Sequence, residues 1–263
     1  MNRIILTAAT GIVAIFFASP ALAQRAADHP DRPAADVTES PDRPQPAATE
    51  GDAPVTPPGI NDKFLDPDLD PEEWVERFEV ESREAFAARR EVVTAVGLKD
   101  GQTIADIGAG TGLYVELFSE RVGDEGRVFA VDISLKFLSL IETRAAAASR
   151  GNVTPVLGSR DTVRLPRESC NVVFSCDTYH HFEYPGRTLA SILAALKPGG
   201  RMVVVDFERI EGVSSDWTLG HVRAGKDVVR REIEQAGFRF VAEPEVEGLS
   251  ENYLLIFEKP GAS

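Results

Sequence analysis

The sequence predicts an α/β fold, a mainly parallel sheet with helices on both faces, and three observations carry that expectation. Apolar runs of strand length alternate with helix-like stretches from about residue 96 to the end. Within each run apolar residues follow one another instead of alternating with polar ones, as in strands covered on both faces. The run Ala105-Asp106-Ile107-Gly108-Ala109-Gly110-Thr111-Gly112 closes a strand pattern and opens a helix pattern. That order sets unpaired N–H groups and a positive dipole end beside a ligand.

The chain of 263 residues begins outside this pattern. Residues 1–23 read as a signal peptide, with a short basic start, an apolar stretch from Ile4 to Ala18, and Ala21-Leu22-Ala23 before Gln24 as an A-x-A cleavage site. The apolar run is short for a membrane span. No stable membrane insertion is expected after cleavage, and the mature chain is expected in the periplasm or outside the cell. Residues 24–60 are rich in Pro, Ala, Asp and Thr and read as a disordered tether. About two hundred residues remain, enough for one domain with a full core.

Residues 61–95 form an acidic helical segment. Asn61 to Glu84 holds ten acids against three bases, within a net charge of −14. A surface of that sign disfavours nucleic acid and anionic membrane as partners. Asp66, Asp68 and Asp70 imitate the start of a calcium loop, but Pro71 replaces its glycine and Arg77 its bidentate acid. Asp70 reads instead as an N-cap, with Pro71 at the first helical position and Glu73 completing a capping box. Trp74, Phe78, Val80, Arg83, Phe86 and Arg90 form a stripe at helical spacing, a possible lid over the sheet.

Residues 96–263 hold the sheet. Thr103 to Ile107 is the first strand, and the helix after the glycines carries Leu113, Val115, Leu117 and Phe118. A dinucleotide fingerprint places glycines at the first, third and sixth positions, here Gly108, Gly110 and Leu113, so the sixth fails. Arg127 to Asp132 is the second strand, and its terminal carboxylate can accept two hydrogen bonds from a ribose diol. Val153 to Gly158, Asn171 to Asp177 and Gly199 to Asp206 follow as the third, fourth and fifth. Gly237 stops a helix carrying Val228, Val229 and Ile233, and Phe238 to Val246 with Tyr253 to Phe257 reads as a hairpin.

An acid before G-x-G-x-G, a second acid twenty residues after Gly112, and Leu196-Lys197-Pro198-Gly199-Gly200 before the fifth strand resemble the class I, Rossmann-like methyltransferases that use S-adenosylmethionine (SAM). The resemblance runs from about Phe78 to Lys259. It implies a seven-stranded sheet with an antiparallel C-terminal strand, and SAM as cofactor. It also implies a cofactor site of Asp106, Gly108, Ala109, Gly110 and Gly112, with Asp132 and Ile133 at the ribose and Ser159, Arg160 and Asp161 near the adenine.

Acceptor chemistry is expected after the fourth and fifth strands, in Asp177-Thr178-Tyr179-His180-His181 and in His221-Val222-Arg223. Transfer from a sulfonium rests largely on positioning, and a histidine near neutral pH can deprotonate a hydroxyl, thiol or amine. His180 or His181 is the expected base, oriented by Tyr179 or Asp177, with His221 and Arg223 recognising substrate. The histidine spacing matches no common ligand pattern, so no metal site is expected. Cys170 and Cys176, six apart on one strand, lie beyond disulfide reach.

The whole reads as an exported SAM-dependent methyltransferase for a small-molecule O, S or N nucleophile. SAM is made in the cytosol, so a non-catalytic SAM- or nucleoside-binding protein remains as an alternative. A nicotinamide-dependent oxidoreductase is disfavoured by Leu113. Neither the acceptor nor the oligomeric state is written in the sequence.

Overall fold

A computed structural model describes residues 53–261. The expected signal peptide, its cleavage site and the tether up to residue 52 lie outside them. Residues 53–60, expected to close the tether, are instead part of the fold. Val55 N–H donates to Glu183 O at 2.9 Å, and Thr56 and Asn61 are buried.

The acidic segment is four short helices: α1 (Asp62–Leu65), α2 (Pro71–Phe78), α3 (Glu84–Ala87) and α4 (Arg89–Val96). Asp70 caps α2 through Oδ1, which accepts from Glu72 N–H at 3.0 Å, with Pro71 at the first position. Glu73 does not close a capping box but faces Arg77 at 4.0 Å, one turn on. The expected continuous stripe is broken after Phe78, where the chain leaves helical geometry before α3 begins.

Beyond it the order is β1 (Thr103–Ile107), α5 (Leu113–Val122), β2 (Arg127–Asp132), α6 (Leu135–Ala147), β3 (Val153–Leu157), β4 (Cys170–Cys176), α7 (Pro185–Ala195), β5 (Leu196–Phe207), α8 (Asp216–His221), α9 (Lys226–Gln235), β6 (Arg239–Ala242) and β7 (Asn252–Glu258). One seven-stranded sheet runs β3-β2-β1-β4-β5-β7-β6. Strands β1 to β5 are parallel, and β7 pairs antiparallel with both β5 and β6. The hairpin's first strand is shorter than expected, since Pro244 has no N–H with which to extend the ladder. Leu196 to Gly200 is the irregular entry to β5; Cys170 pairs with Leu196, but Val172 pairs with Arg201.

Consecutive residues of the central strands go to opposite layers, which is why the strands read as unbroken apolar runs. Ala105, Val173 and Val204 pack with Leu189 and Ile192 of α7 and with Val229 and Ile233 of α9. Ile104, Val172, Phe174 and Val203 pack with Val92, Val96, Phe118 and Ile141 of α4 to α6. Each Val, Leu, Ile or Phe side chain buried completely in either layer contributes about 1.5–3 kcal/mol. Among the described residues no helix is long and apolar enough to cross a membrane.

The order fixes where a ligand can sit. From β1 the chain moves outward to β2 and β3, then returns across β1 to β4. The carboxyl ends of β1 and β4 therefore flank a crevice that no crossover covers.

Candidate active site

That crevice is a cavity of about 480 Å³, the size of a small-ligand or cofactor site. The ends of β1, β2, β3, β4 and β5 all reach it, and α1 and α2 roof it. Phe64, Trp74 and Phe78 form the roof, each ring 5.0 Å from the next, and lean on Phe137 of α6. Of the expected stripe, Trp74, Phe78 and Arg83 face the cavity, while Val80, Phe86 and Arg90 do not.

Two buried carboxylates lie at one end of the cavity. Asp106 and Asp132 sit at the ends of adjacent strands, 3% and 7% exposed. Burial and then the Asp132 charge push the Asp106 carboxyl up to about 8. Burial raises Asp132 to about 6, against the backbone N–H groups of Ser134, Gly110 and Ile133, which favour its ionised form. Asp132 Oδ2 accepts from Gly110 N–H and Oδ1 from Ser134 N–H, each at 2.8 Å.

The glycine loop differs from expectation in what it offers. Gly108 and Ala109 N–H both donate to Val131 O, at 2.8 and 3.1 Å, and Gly110 N–H goes to Asp132. These donors are taken by the fold, so the loop contributes close approach. Gly108 has φ +72°, and a Cβ there would lie 2.2 Å from Thr178. Gly112 stands outside the cavity and lets α5 pack close to Ile141, since a Cβ there would lie only 2.9 Å from the Ile141 side chain. Thr111, not singled out from the sequence, lines the cavity with a buried Oγ1 that has no hydrogen-bond partner among the described residues. Two carboxylates, an open glycine at Gly110 and an orphaned hydroxyl suit a ligand with a ribose diol and an ammonium group.

After the third strand the three expected residues divide. Ser159 and Arg160 line the cavity with Ile133, but Asp161 does not. Asp161 accepts from Ser159 Oγ at 2.8 Å and faces Arg187 at 3.3 Å. Arg160 holds buried Glu183 through both carboxylate oxygens, at 3.0 and 2.9 Å. It braces the wall.

The opposite end is a histidine cluster. His180 and His181 lie on a 3₁₀ turn, Tyr179–His181, after β4, and His221 ends α8. His180 is 2% exposed, and its Nδ1 is 2.7 Å from Asp206 Oδ1. Its backbone N–H donates to Asp206 Oδ2 at 3.0 Å. Because the carboxylate only accepts, Nδ1 carries a proton, and in the neutral ring the lone pair is on Nε2. His181 is fixed likewise by Asn61. The Asn61 amide NH₂ donates to His181 O at 3.1 Å and to Glu183 Oε1 at 2.9 Å, so its Oδ1, 3.1 Å from His181 Nδ1, is the acceptor. His181 Nε2 then faces His221 Nε2 at 3.3 Å.

Burial, followed by the neighbouring His180 and His221 charges, pushes His181 down to about 2. Burial, His180 and Lys63 push His221 to about 4. His181 is therefore neutral at physiological pH and poorly suited as the expected base. His180, backed by Asp206, is the better placed of the pair.

The expected orienting and recognition residues are corrected. Tyr179 is fully buried, outside the cavity, and its hydroxyl donates to Glu232 Oε2 at 2.8 Å. Arg223 holds the same Glu232 through two bonds of 2.8 and 2.7 Å, away from the cavity. Asp177 lines the cavity but accepts from Arg83 and, at 2.7 Å, from Asn252 Nδ2, not from a histidine. The orienting acid is Asp206, and the partner of His181 is Asn61. Cys170 is buried and Cys176 borders the cavity, neither in a disulfide; burial and the Asp177 charge keep the Cys176 thiol protonated.

Residues 105–204 match the sequence profile of a methyltransferase domain family. The chain is 33% identical over 137 residues to a demethylmenaquinone methyltransferase of Thermobifida fusca. Over 124 residues it is 29% identical to the ubiquinone/menaquinone biosynthesis C-methyltransferase UbiE of a Marinomonas species. These matches cover 50% and 47% of this chain and 55% and 49% of the relatives, so the chain spans about half of their length. Among solved structures, a SAM-dependent methyltransferase from Aquifex aeolicus superposes with a TM-score of 0.63 at 23% identity, over 73% of this chain and 99% of that one. The geranyl diphosphate C-methyltransferase of Streptomyces coelicolor gives 0.57 at 14% identity, over 79% and 89%. The sheet is thus the fold of the class I methyltransferases, and residues 105–204 match a methyltransferase domain.

Proposed function

We propose that this chain transfers a methyl group from SAM to a small-molecule O, S or N nucleophile. One observation carries the reading: a single cavity holds two buried carboxylates at one end and oriented histidines at the other. The carboxylates suit the two polar parts of the cofactor, Asp132 its ribose diol and Asp106 its ammonium. When bound, SAM supplies an electrophilic methyl group on a positive sulfur. The acceptor lies beneath the aromatic roof with its nucleophilic atom at the histidines, where His180 Nε2 can take its proton. In-line placement does the rest. The named C-methyltransferase relatives support a second reading, a carbon acceptor on a ring whose hydroxyl is deprotonated at the same place. Product analysis separates the two.

The cofactor assignment has a pH signature. Asp106, raised to about 8 from the ordinary 3.8, is largely protonated at pH 7 while the site holds no ligand. An arriving ammonium favours the carboxylate, so SAM binding expels a proton and affinity rises with pH up to about 8. The unliganded fold binds more protons than the unfolded chain between about 4 and 8, so its stability falls as pH rises across that window. Calorimetry at pH 7 in buffers of different ionisation enthalpy should register proton release on binding SAM, and Asp106→Asn should abolish it. Binding of NAD instead of SAM would overturn the function; SAM binding without proton release would overturn the role of Asp106.

The mature enzyme is proposed to begin at Gln24 and to work outside the inner membrane, on the pattern of basic start, apolar stretch and A-x-A site. Cell fractionation with N-terminal sequencing tests this. A cytosolic protein still carrying Met1 or Asn2 refutes export.

A further inference from the structure

We propose that His180, His181 and His221 together bind one divalent transition-metal cation of the zinc class at the acceptor end of the cavity. This rests on the reading above that the acceptor sits there, and it assigns the cluster a ligand that its sequence spacing does not suggest.

One ring nitrogen from each histidine lies within 4.8 Å of the other two. A zinc ion bound tetrahedrally at about 2.0–2.1 Å holds neighbouring ligand nitrogens about 3.3–3.4 Å apart. His181 Nε2 and His221 Nε2 are already at 3.3 Å. No pair is more than 4.8 Å apart, so the remaining closure is at most about 1.5 Å.

Proton accounting points the same way. Asp206 fixes the proton of His180 on Nδ1, and Asn61 does so for His181. In the neutral rings both lone pairs are then on Nε2, and that of His181 faces His221. His221 Nε2–H can donate to His181, but His180 Nε2 has no protein donor among the described residues. A cation accepts all three lone pairs once His221 moves its proton to Nδ1. An acceptor on Nδ1–H, here a carboxylate for His180 and an amide oxygen for half-buried His181, is the usual outer support of a metal-ligating imidazole. Trp217, stacked on His221 at 4.7 Å, keeps the third ring in place.

Three protein ligands leave one position open, and here it faces the cavity, the arrangement of catalytic rather than structural zinc sites. A thiol or hydroxyl acceptor binding there loses its proton to solvent. Its lone pair then attacks the methyl carbon as the carbon–sulfur bond breaks, leaving a methylated acceptor and S-adenosylhomocysteine. His180 Nε2, the proton acceptor in the metal-free protein, would then serve as a ligand, and His180→Gln would slow transfer in either state.

The test uses the full chain without an affinity tag, titrated with Co²⁺ and then Zn²⁺. One Co²⁺ per chain should bind with the visible absorption bands of four- or five-coordinate cobalt, and Zn²⁺ should displace it. His221→Ala and His181→Gln should each weaken binding by more than the roughly 10–100-fold that follows loss of an outer partner, whereas Asp206→Asn should stay within that range. Thermal melting and SAM calorimetry on the same samples verify that each variant is folded. Absence of stoichiometric cobalt, or cobalt binding retained in both histidine variants, overturns the site. SAM binding without metal removes this proposal alone; metal binding without SAM removes the cofactor reading and leaves this one standing.

Discussion

A His180→Gln variant is expected to transfer methyl groups about 10²–10⁴-fold more slowly than the parent, with its affinity for SAM unchanged. His180 alone in the cavity is both buried and anchored twice to one carboxylate, through its ring at 2.7 Å and its backbone N–H at 3.0 Å. Glutamine can still reach Asp206, but it has no basic nitrogen where Nε2 stands. The cofactor's carboxylates lie at the ends of other strands, so SAM binding should survive. Release of S-adenosylhomocysteine against a panel of thiols, phenols and amines gives the rate, and calorimetry the affinity. Turnover equal to the parent's would reduce His180 to a hydrogen-bonded wall residue. Asp206 touches no reacting atom and is a positioning residue. Asp206→Asn should slow turnover through the His180 tautomer while leaving SAM bound.

The two ends of the cavity differ in how far they can be read from sequence. The proposed cofactor end is local: Asp106 through Thr111 are consecutive, and Asp132 closes the next strand. Strand, turn and helix each leave a pattern there, so motif and geometry coincide. The acceptor end is assembled from Asn61, His180, His181, Asp206 and His221, joined only by the fold. Asp206 reads in the sequence as nothing more than the end of a strand, and Asn61 as the start of an acidic segment.

Adjacency also misleads. Tyr179 sits next to His180, yet successive residues of a 3₁₀ turn point in different directions, and Tyr179 enters the core toward Glu232. Arg223 follows His221 by two residues and is drawn to that same acid. The geometry of the histidine cluster is hidden for a related reason. Common ligand motifs fix their spacing on one element, whereas these three nitrogens come from a turn after β4 and from α8.

Asp132→Ala is expected to weaken SAM by about 1.5–3 kcal/mol, about 10–150-fold in Kd. Each Asp132 oxygen already accepts one backbone N–H, from Gly110 or Ser134 at 2.8 Å. Each keeps a further lone pair, and the carboxylate borders the cavity. A ribose diol there gains two charge-assisted bonds, and alanine removes both. The same substitution leaves the Gly110 and Ser134 N–H groups without their acceptor, so some loss of stability should accompany it, visible in thermal melting. Two comparisons separate loosening of the loop from loss of the ribose contact. S-adenosylhomocysteine carries the same ribose and should weaken in parallel with SAM, whereas free adenine has none and should bind as it does to the parent. If a folded Asp132→Ala protein holds SAM as tightly as the parent, the ribose lies elsewhere. The carboxylate at the end of β2 would then serve only to hold the glycine loop.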